Sequence, residues 1–204
     1  MPNDNYTAIL LVLDSSGSMC HRIGEHGEEA YEVMQNALHM MLEQQARKLA
    51  GYLTVDVGYF EAKPTQGEQN ADPMLINLSM FARGGTQIYD STAALVATFE
   101  ARLKALPADE QPGHVVVVVM TDGESYPADK QAGRNMPATT KRLIGEGWDF
   151  AYLAAGGGLG GYHGLGIPKE NVINESMTEE GIAIMAEKLG QFVSMSRSGE
   201  DAHF

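Results

Sequence analysis

Only one cysteine, Cys20, stands in the 204 residues, so no disulfide forms within the chain. Positive charge is scarce: 14 Lys and Arg face 27 Asp and Glu, a formal charge of −13. That balance excludes a nucleic-acid backbone or an anionic membrane as the main partner, and it suits cation binding and a self-repelling surface. No apolar run approaches the roughly 18–20 residues that a membrane span needs. The N-terminus has no basic stretch ahead of its first apolar run, and an acid follows that run at once, so no signal peptide is expected. The expected location is the reducing cytoplasm, with export by a signal-independent route left open. Repeats are absent, and the only low-complexity segment is a glycine-rich stretch, Gly156–Gly166.

What remains is an ordinary globular composition, 44% apolar and 20% charged. The length suits one domain spanning 1–204, with a core of about 6–195 and a frayed tail over 196–204. Ala8–Leu13 and Val115–Met120 are the most apolar runs and read as central buried strands. A polar turn through Arg22, Gly24 and Gly27 follows the first. Tyr52–Phe60 alternates, with Leu53, Val55, Val57 and Tyr59 on one face and Thr54, Asp56 and Gly58 on the other, which predicts a half-exposed strand. Met74–Met80 predicts a short edge strand, Trp148–Ala155 a further strand and Asn171–Asn174 a last short one. Between them, apolar residues at helical spacing predict helices over Glu28–Ala50, Tyr89–Leu106 and Ala138–Glu146, and one after Thr178, whose hydroxyl caps it. Gly51 stops the first. Glu61–Pro73 and Gly156–Gly166 read as loops. Strands alternating with helices indicate a doubly wound α/β fold: a mostly parallel central sheet with helices on both faces.

The chemistry concentrates at strand ends. Asp14-Ser15-Ser16-Gly17-Ser18 closes the first apolar run, and Thr121-Asp122-Gly123-Glu124 closes the second. Open α/β sheets bind ligands at the carboxyl ends of their strands, and oxygen-only side chains there suit a hard divalent cation such as Mg²⁺. Central strands are neighbours, so these two ends lie close. The Arg83-Gly84-Gly85-Thr86 turn opens a helix and is able to bend over the same edge.

Asp14-x-Ser16-x-Ser18, a distant Thr86 and a later Thr121-Asp122-Gly123 resemble, in order and in predicted context, the von Willebrand factor type A domain with its metal-ion-dependent adhesion site (MIDAS). The resemblance covers nearly the whole chain and matches free-standing bacterial and phage-encoded members. It implies that Ser16 and Ser18 ligate Mg²⁺, Mn²⁺ or Ca²⁺ through their hydroxyls. Thr86 would ligate directly or through water, while Asp14 and Asp122 hold coordinated waters and orient the hydroxyls. It further implies a binding function without bond breaking, in which a partner protein presents an Asp or Glu carboxylate to the ion. Neutral hydroxyl ligands barely quench a double charge, which is why an outside carboxylate is attracted.

Two other readings belong to different classes. A Mg²⁺-dependent phosphohydrolase of the haloacid-dehalogenase type needs a second carboxylate two residues after the first, where Ser16 stands. A response-regulator receiver needs a paired acid, and Asp14 stands alone. A self-associating structural domain with a degenerate site is the third reading, against which the intact ligand set argues; self-association as such stays open. Gly156-Gly157-Gly158-Leu159-Gly160-Gly161 fits G-x-G-x-x-G, but no helix is expected to open directly after it, so a dinucleotide site is not. His21 has neither a nucleophile elbow nor a third group beside it and is expected to be solvent-exposed. Cys20 is expected to be buried or half-buried, Asp90 to start a helix, and Glu61 and Glu124 to be rim charges.

Overall fold

The computed structural model describes residues 1–24, 26–60, 63–79, 84–123, 135–157 and 161–204. Glu61, Met80, Arg83, Glu124, Gly158 and Gly160, which entered the sequence expectations, lie outside the described residues. The elements are β1 (Asn3–Asp14), β2 (Arg22–Ile23), β3 (Glu28–Glu29), α1 (Ala30–Lys48), β4 (Tyr52–Phe60), β5 (Pro64–Gln66), α2 (Ile88–Lys104), β6 (Pro112–Thr121), α3 (Met136–Gly145), β7 (Trp148–Ala155), α4 (Gly161–Leu165), β8 (Val172–Glu175) and α5 (Glu179–Arg197). Six strands form one sheet in the order β5-β4-β1-β6-β7-β8, parallel except for β5, and β2 pairs with β3 antiparallel in a separate sheet of two short strands.

The two valine- and leucine-rich strands are apolar on both faces because both faces are covered. From β1, Ile9, Leu11 and Leu13 pack beneath α1 and α5, where they meet Met34, Leu38, Met185, Leu189 and Phe192. Leu10 and Val12 point the other way, toward Ile88, Val96 and Phe99 of α2, Met136 of α3 and Leu165 of α4. Helices on both faces of a mostly parallel sheet make this a doubly wound α/β fold. Thr178 caps α5, its hydroxyl accepting from the Gly181 N–H at 3.1 Å, with Glu179 and Glu180 in the first turn. At the far end, the Arg197 guanidinium donates to the carbonyls of Gln45 (2.6 Å), Ala50 (3.2 Å) and Leu49 (3.4 Å), fastening α5 to the end of α1.

Gly51 ends the α1–β4 connection with φ +104°, and a β-carbon there would lie 2.6 Å from the Asn5 carbonyl oxygen. Gly51→Ala therefore combines a strained dihedral with a backbone clash and is expected to destabilise by roughly 1–3 kcal/mol. Urea titration checks this as a lower midpoint at unchanged slope.

Four sequence expectations are corrected. The Thr54/Asp56/Gly58 face of β4 is buried, not exposed, because α2 lies on it. Tyr6 Oη and Thr54 Oγ1 share a hydrogen bond of 2.9 Å. Asp56 accepts a two-pronged contact from Arg102 of α2, at 2.6 and 3.1 Å, and the Asn70 N–H at 2.9 Å. Residues 74–79 form no strand: Leu75 and Ile76 donate back to the Asp72 carbonyl in a turn, and the sheet edge is β5. The glycine-rich stretch, read as loop throughout, holds the five-residue α4, whose Tyr162 and Leu165 are buried in the core. The tail predicted to fray is packed. Ala202 is buried, the Phe204 ring lies 4.9 Å from that of Phe192, and the Phe204 N–H donates to the Glu170 carbonyl. One aromatic residue at the end of a polar stretch supplies enough apolar area to hold it down.

Candidate metal centre

Parallel pairing of β1 with β6 aligns Leu13 with Met120, so Asp14 and Thr121 arrive at the carboxyl edge side by side. Asp14 is wholly buried. One carboxylate oxygen accepts the Ser16 N–H at 2.8 Å and the other accepts the Thr121 hydroxyl at 2.6 Å. The Thr121 oxygen in turn accepts the Gly123 N–H at 3.1 Å, which shapes the turn carrying Asp122. After Asp14 the chain leaves the strand through a 3₁₀ turn, Gly17–Cys20. Ser16 and Ser18 lie with their hydroxyl oxygens 2.9 Å apart, and Ser18 donates to Asp122 Oδ1 at 2.8 Å. Ser16, Ser18 and Asp122, up to 106 positions apart, thus form one continuous chain of oxygens, to which Asp14 is tied through the Ser16 N–H.

Thr86 reaches this edge on a separate loop. The Gly17 N–H donates to the Gly84 carbonyl at 3.3 Å, seating the Gly84-Gly85-Thr86 turn against the serine turn. Gly84 has φ +83°, a conformation glycine adopts without strain. Thr86 is buried just ahead of α2.

The electrostatics are those of an acid pair short of positive charge. Burial pushes the Asp14 carboxyl up to about 6; hydrogen bonds from Ser16 and Thr121 oppose that shift, and the neighbouring charge of Asp122 adds to it. Asp122 is also raised, by burial first, against a hydrogen bond from Ser18 and the charge of His21. Among the described residues no group of three or more His, Cys, Asp or Glu is placed to hold a metal, so any ion here leans on hydroxyls. The spacing fits such an ion. The Ser16 and Ser18 oxygens are 2.9 Å apart, an ordinary O–H···O hydrogen-bond distance that is also about the separation of adjacent ligands on an octahedral cation at 2.0–2.1 Å.

Neither a family model nor a curated protein matches the chain. Solved structures do. Proximal thread matrix protein 1 from the mussel byssus superposes with a TM-score of 0.60 at 15% identity, covering 92% of this chain and 46% of its own. Another structure of that protein, with a zinc-occupied MIDAS motif, gives a TM-score of 0.59 at 15% identity over the same shares of the two chains. The PilB minor pilin from Streptococcus sanguinis gives 0.65 at 12% identity, covering 94% of this chain and 61% of its own. The chain thus spans about half to three-fifths of these proteins. This is the von Willebrand factor type A fold.

Within the type A fold, four of the five expected site residues are joined by the hydrogen bonds above, and Thr86 stands on the turn packed against them. Thr121 was legible only as part of the Thr-Asp-Gly motif. Its hydroxyl is what ties the Asp14 carboxylate to β6, and the signal for it is its register opposite Asp14. His21 is exposed, as expected, whereas Cys20 is exposed rather than buried, since only Met19 of the 3₁₀ turn points inward. Asp90 lies in the first turn of α2. No described helix is long and apolar enough to cross a membrane.

Proposed function

We propose that this chain is a single-domain, cytoplasmic, metal-dependent binding module. Ser16, Ser18 and Thr86 ligate a divalent cation, Mg²⁺ before Mn²⁺ or Ca²⁺, with Asp14 and Asp122 acting through coordinated water. The observation that carries this is the convergence of Ser16, Ser18 and Asp122, joined by hydrogen bonds, across the ends of β1 and β6. When bound, the cation supplies a Lewis-acidic point able to accept a carboxylate oxygen from a partner protein. The chain's own residues set the terms. Ser16 and Ser18 contribute neutral oxygens that leave most of the positive charge unspent. Asp14 holds the serine turn through the Ser16 N–H, and Thr121 fixes Asp14 to the neighbouring strand. Ser16, Ser18 and Asp122 are already gathered at one sheet edge by their own hydrogen bonds, so little rearrangement is required on binding.

A phosphohydrolase role is disfavoured by the same geometry. Both oxygens of Asp14 are engaged and the side chain is buried, so it is poorly placed as a nucleophile. The mussel matrix protein and the pilin carry names of structural proteins, which supports a non-enzymatic reading.

The test is thermal. Mg²⁺ at about 100 times its Kd is expected to stabilise the fold by roughly 2.7 kcal/mol, a rise in Tm of roughly 5–10 °C. Ser16→Ala combined with Ser18→Ala is expected to erase that rise without unfolding the protein. Ca²⁺ is expected to give the smaller gain, as calorimetric titration of both ions will show. Affinity capture from source lysate with Mg²⁺ and again with chelator then identifies partners. A protein retained only with Mg²⁺, and released by free aspartate or glutamate, is the expected result; a Mg²⁺ response unchanged in the double variant sinks the reading.

A further inference from the structure

The outer face of α1 and α5 carries a groove of about 700 Å³. The two helices run in the same direction. Gly190 of α5 stands level with Met41 and Gln45 of α1, and Arg197 with Gln45, Leu49 and Ala50. Small residues on α5, Ala183, Ala186 and Gly190, leave the space between the helices open. Met40 of α1 lines it and is 64% exposed.

The charges of the groove point to what covers it. Lys48 and Glu187 are its only charged lining residues, so it is neutral on a chain of formal charge −13. They lie on opposite walls and toward opposite ends: Lys48 closes α1, and Glu187 precedes Gly190 by one turn. Among the described residues each contacts only a neutral amide, at the outer limit of hydrogen bonding. Lys48 donates to Gln44 Oε1 and Glu187 accepts from Gln191 Nε2, both at 3.5 Å. Their helix neighbours Glu43 and Lys188, by contrast, pair with Arg47 and Glu175. A cation and an anion so placed are complementary to themselves. A two-fold axis lying in the face, midway between them and at right angles to the line that joins them, sets Lys48 of each copy against Glu187 of the other. That reciprocity defines an isologous interface. An acidic face would instead repel its own copy on so acidic a chain.

We propose that the α1/α5 groove is the interface of a two-fold homodimer, in which Lys48 and Glu187 pair reciprocally and Met40 of each copy is covered by the other. The metal edge takes no part, so association is expected to be equal in Mg²⁺ and in chelator.

The test is sedimentation equilibrium of the full chain at concentrations up to about 300 µM. The native protein is expected to form a reversible dimer. Lys48→Glu and Glu187→Lys, both at exposed positions, each set like charges face to face at both contacts, and each alone is expected to weaken association by roughly tenfold or more. Mixed in equal amounts, the two variants regain opposite charges at both contacts, and the mixture is expected to dimerise as the native chain does. Met40→Glu is expected to abolish the dimer, with circular dichroism unchanged. A native chain that stays monomeric throughout overturns the proposal and leaves the groove to a different protein. So does a dimer that none of the three substitutions weakens, or a mixture that associates no better than either single variant.

Discussion

Asp14→Asn is expected to raise the Tm of the protein in chelator by roughly 5–10 °C at pH 7 and to abolish the stabilisation by Mg²⁺. The reason is proton linkage. The folded protein holds the Asp14 proton up to about pH 6, whereas an unfolded aspartate releases it near 3.8. Between those values the folded state binds more protons than the unfolded, so stability in chelator falls as pH rises from about 4 through 6. By pH 7 the penalty for an ionised, buried Asp14 is complete, on the order of 3 kcal/mol. Asparagine removes the charge and keeps the contacts. Its carbonyl oxygen accepts the Ser16 N–H, its amide donates to the Thr121 oxygen, and the Thr121 hydroxyl turns to the Gly123 carbonyl 3.2 Å away. Scanning calorimetry in chelator at pH 4 and pH 7 separates the outcomes: native and variant differ at pH 7 and converge at pH 4. Equal Tm values at pH 7 would refute the electrostatic account. A centre that destabilises its own fold in the absence of an ion is a common signature of function.

The second large effect lies away from the metal. Arg102→Met leaves the Asp56 carboxylate facing apolar α2 side chains, since Asp56 is 1% exposed and Arg102 supplies both of its ionic hydrogen bonds. Removing one partner of such a pair is expected to destabilise by about 3–5 kcal/mol. Burial already holds the Asp56 carboxyl above its ordinary value even with the arginine beside it, and loss of the cation raises it further. The variant is therefore expected to lose least at low pH, where Asp56 is protonated, and most at neutral pH. Adding Asp56→Asn to Arg102→Met is expected to recover most of the loss, because a neutral amide needs no cation. Chemical denaturation of the two single variants and the double variant measures the coupling; additive effects would show that the pair is not coupled.

How much of this was readable from the chain depends on what each residue's neighbours are. The ends of β1 and β6 were legible because two unbroken apolar runs can only be central strands, and central strands of a parallel sheet bring Asp14 and Asp122 together. β7 was legible residue for residue because Gly147 and Gly156, both with positive φ, bracket it. β4 was misread because Asp56 and Thr54 look solvated in one dimension. Their partners, Arg102 and Tyr6, stand 46 and 48 residues away, and alternation cannot distinguish a polar residue facing water from one facing a buried partner. The Ile76 and Leu78 pair mimics strand alternation, yet both are buried within a turn-led loop started by Asp72. The C-terminal tail was misread for the opposite reason: its one anchoring aromatic, Phe204, sits among polar residues. Thr121 was seen as motif and missed as a structural tie, since only strand register reveals what stands beside it.

The Arg197 clasp has a mechanical consequence. Its guanidinium grips three carbonyls at the end of α1, while Thr178 closes the opposite end of α5. A piston stroke of α5 by one turn, about 5.4 Å, would tear out the three Arg197 contacts unless α1 travelled with it. The two helices are thus yoked, and any signal leaving the metal edge along that face has to move them as a pair.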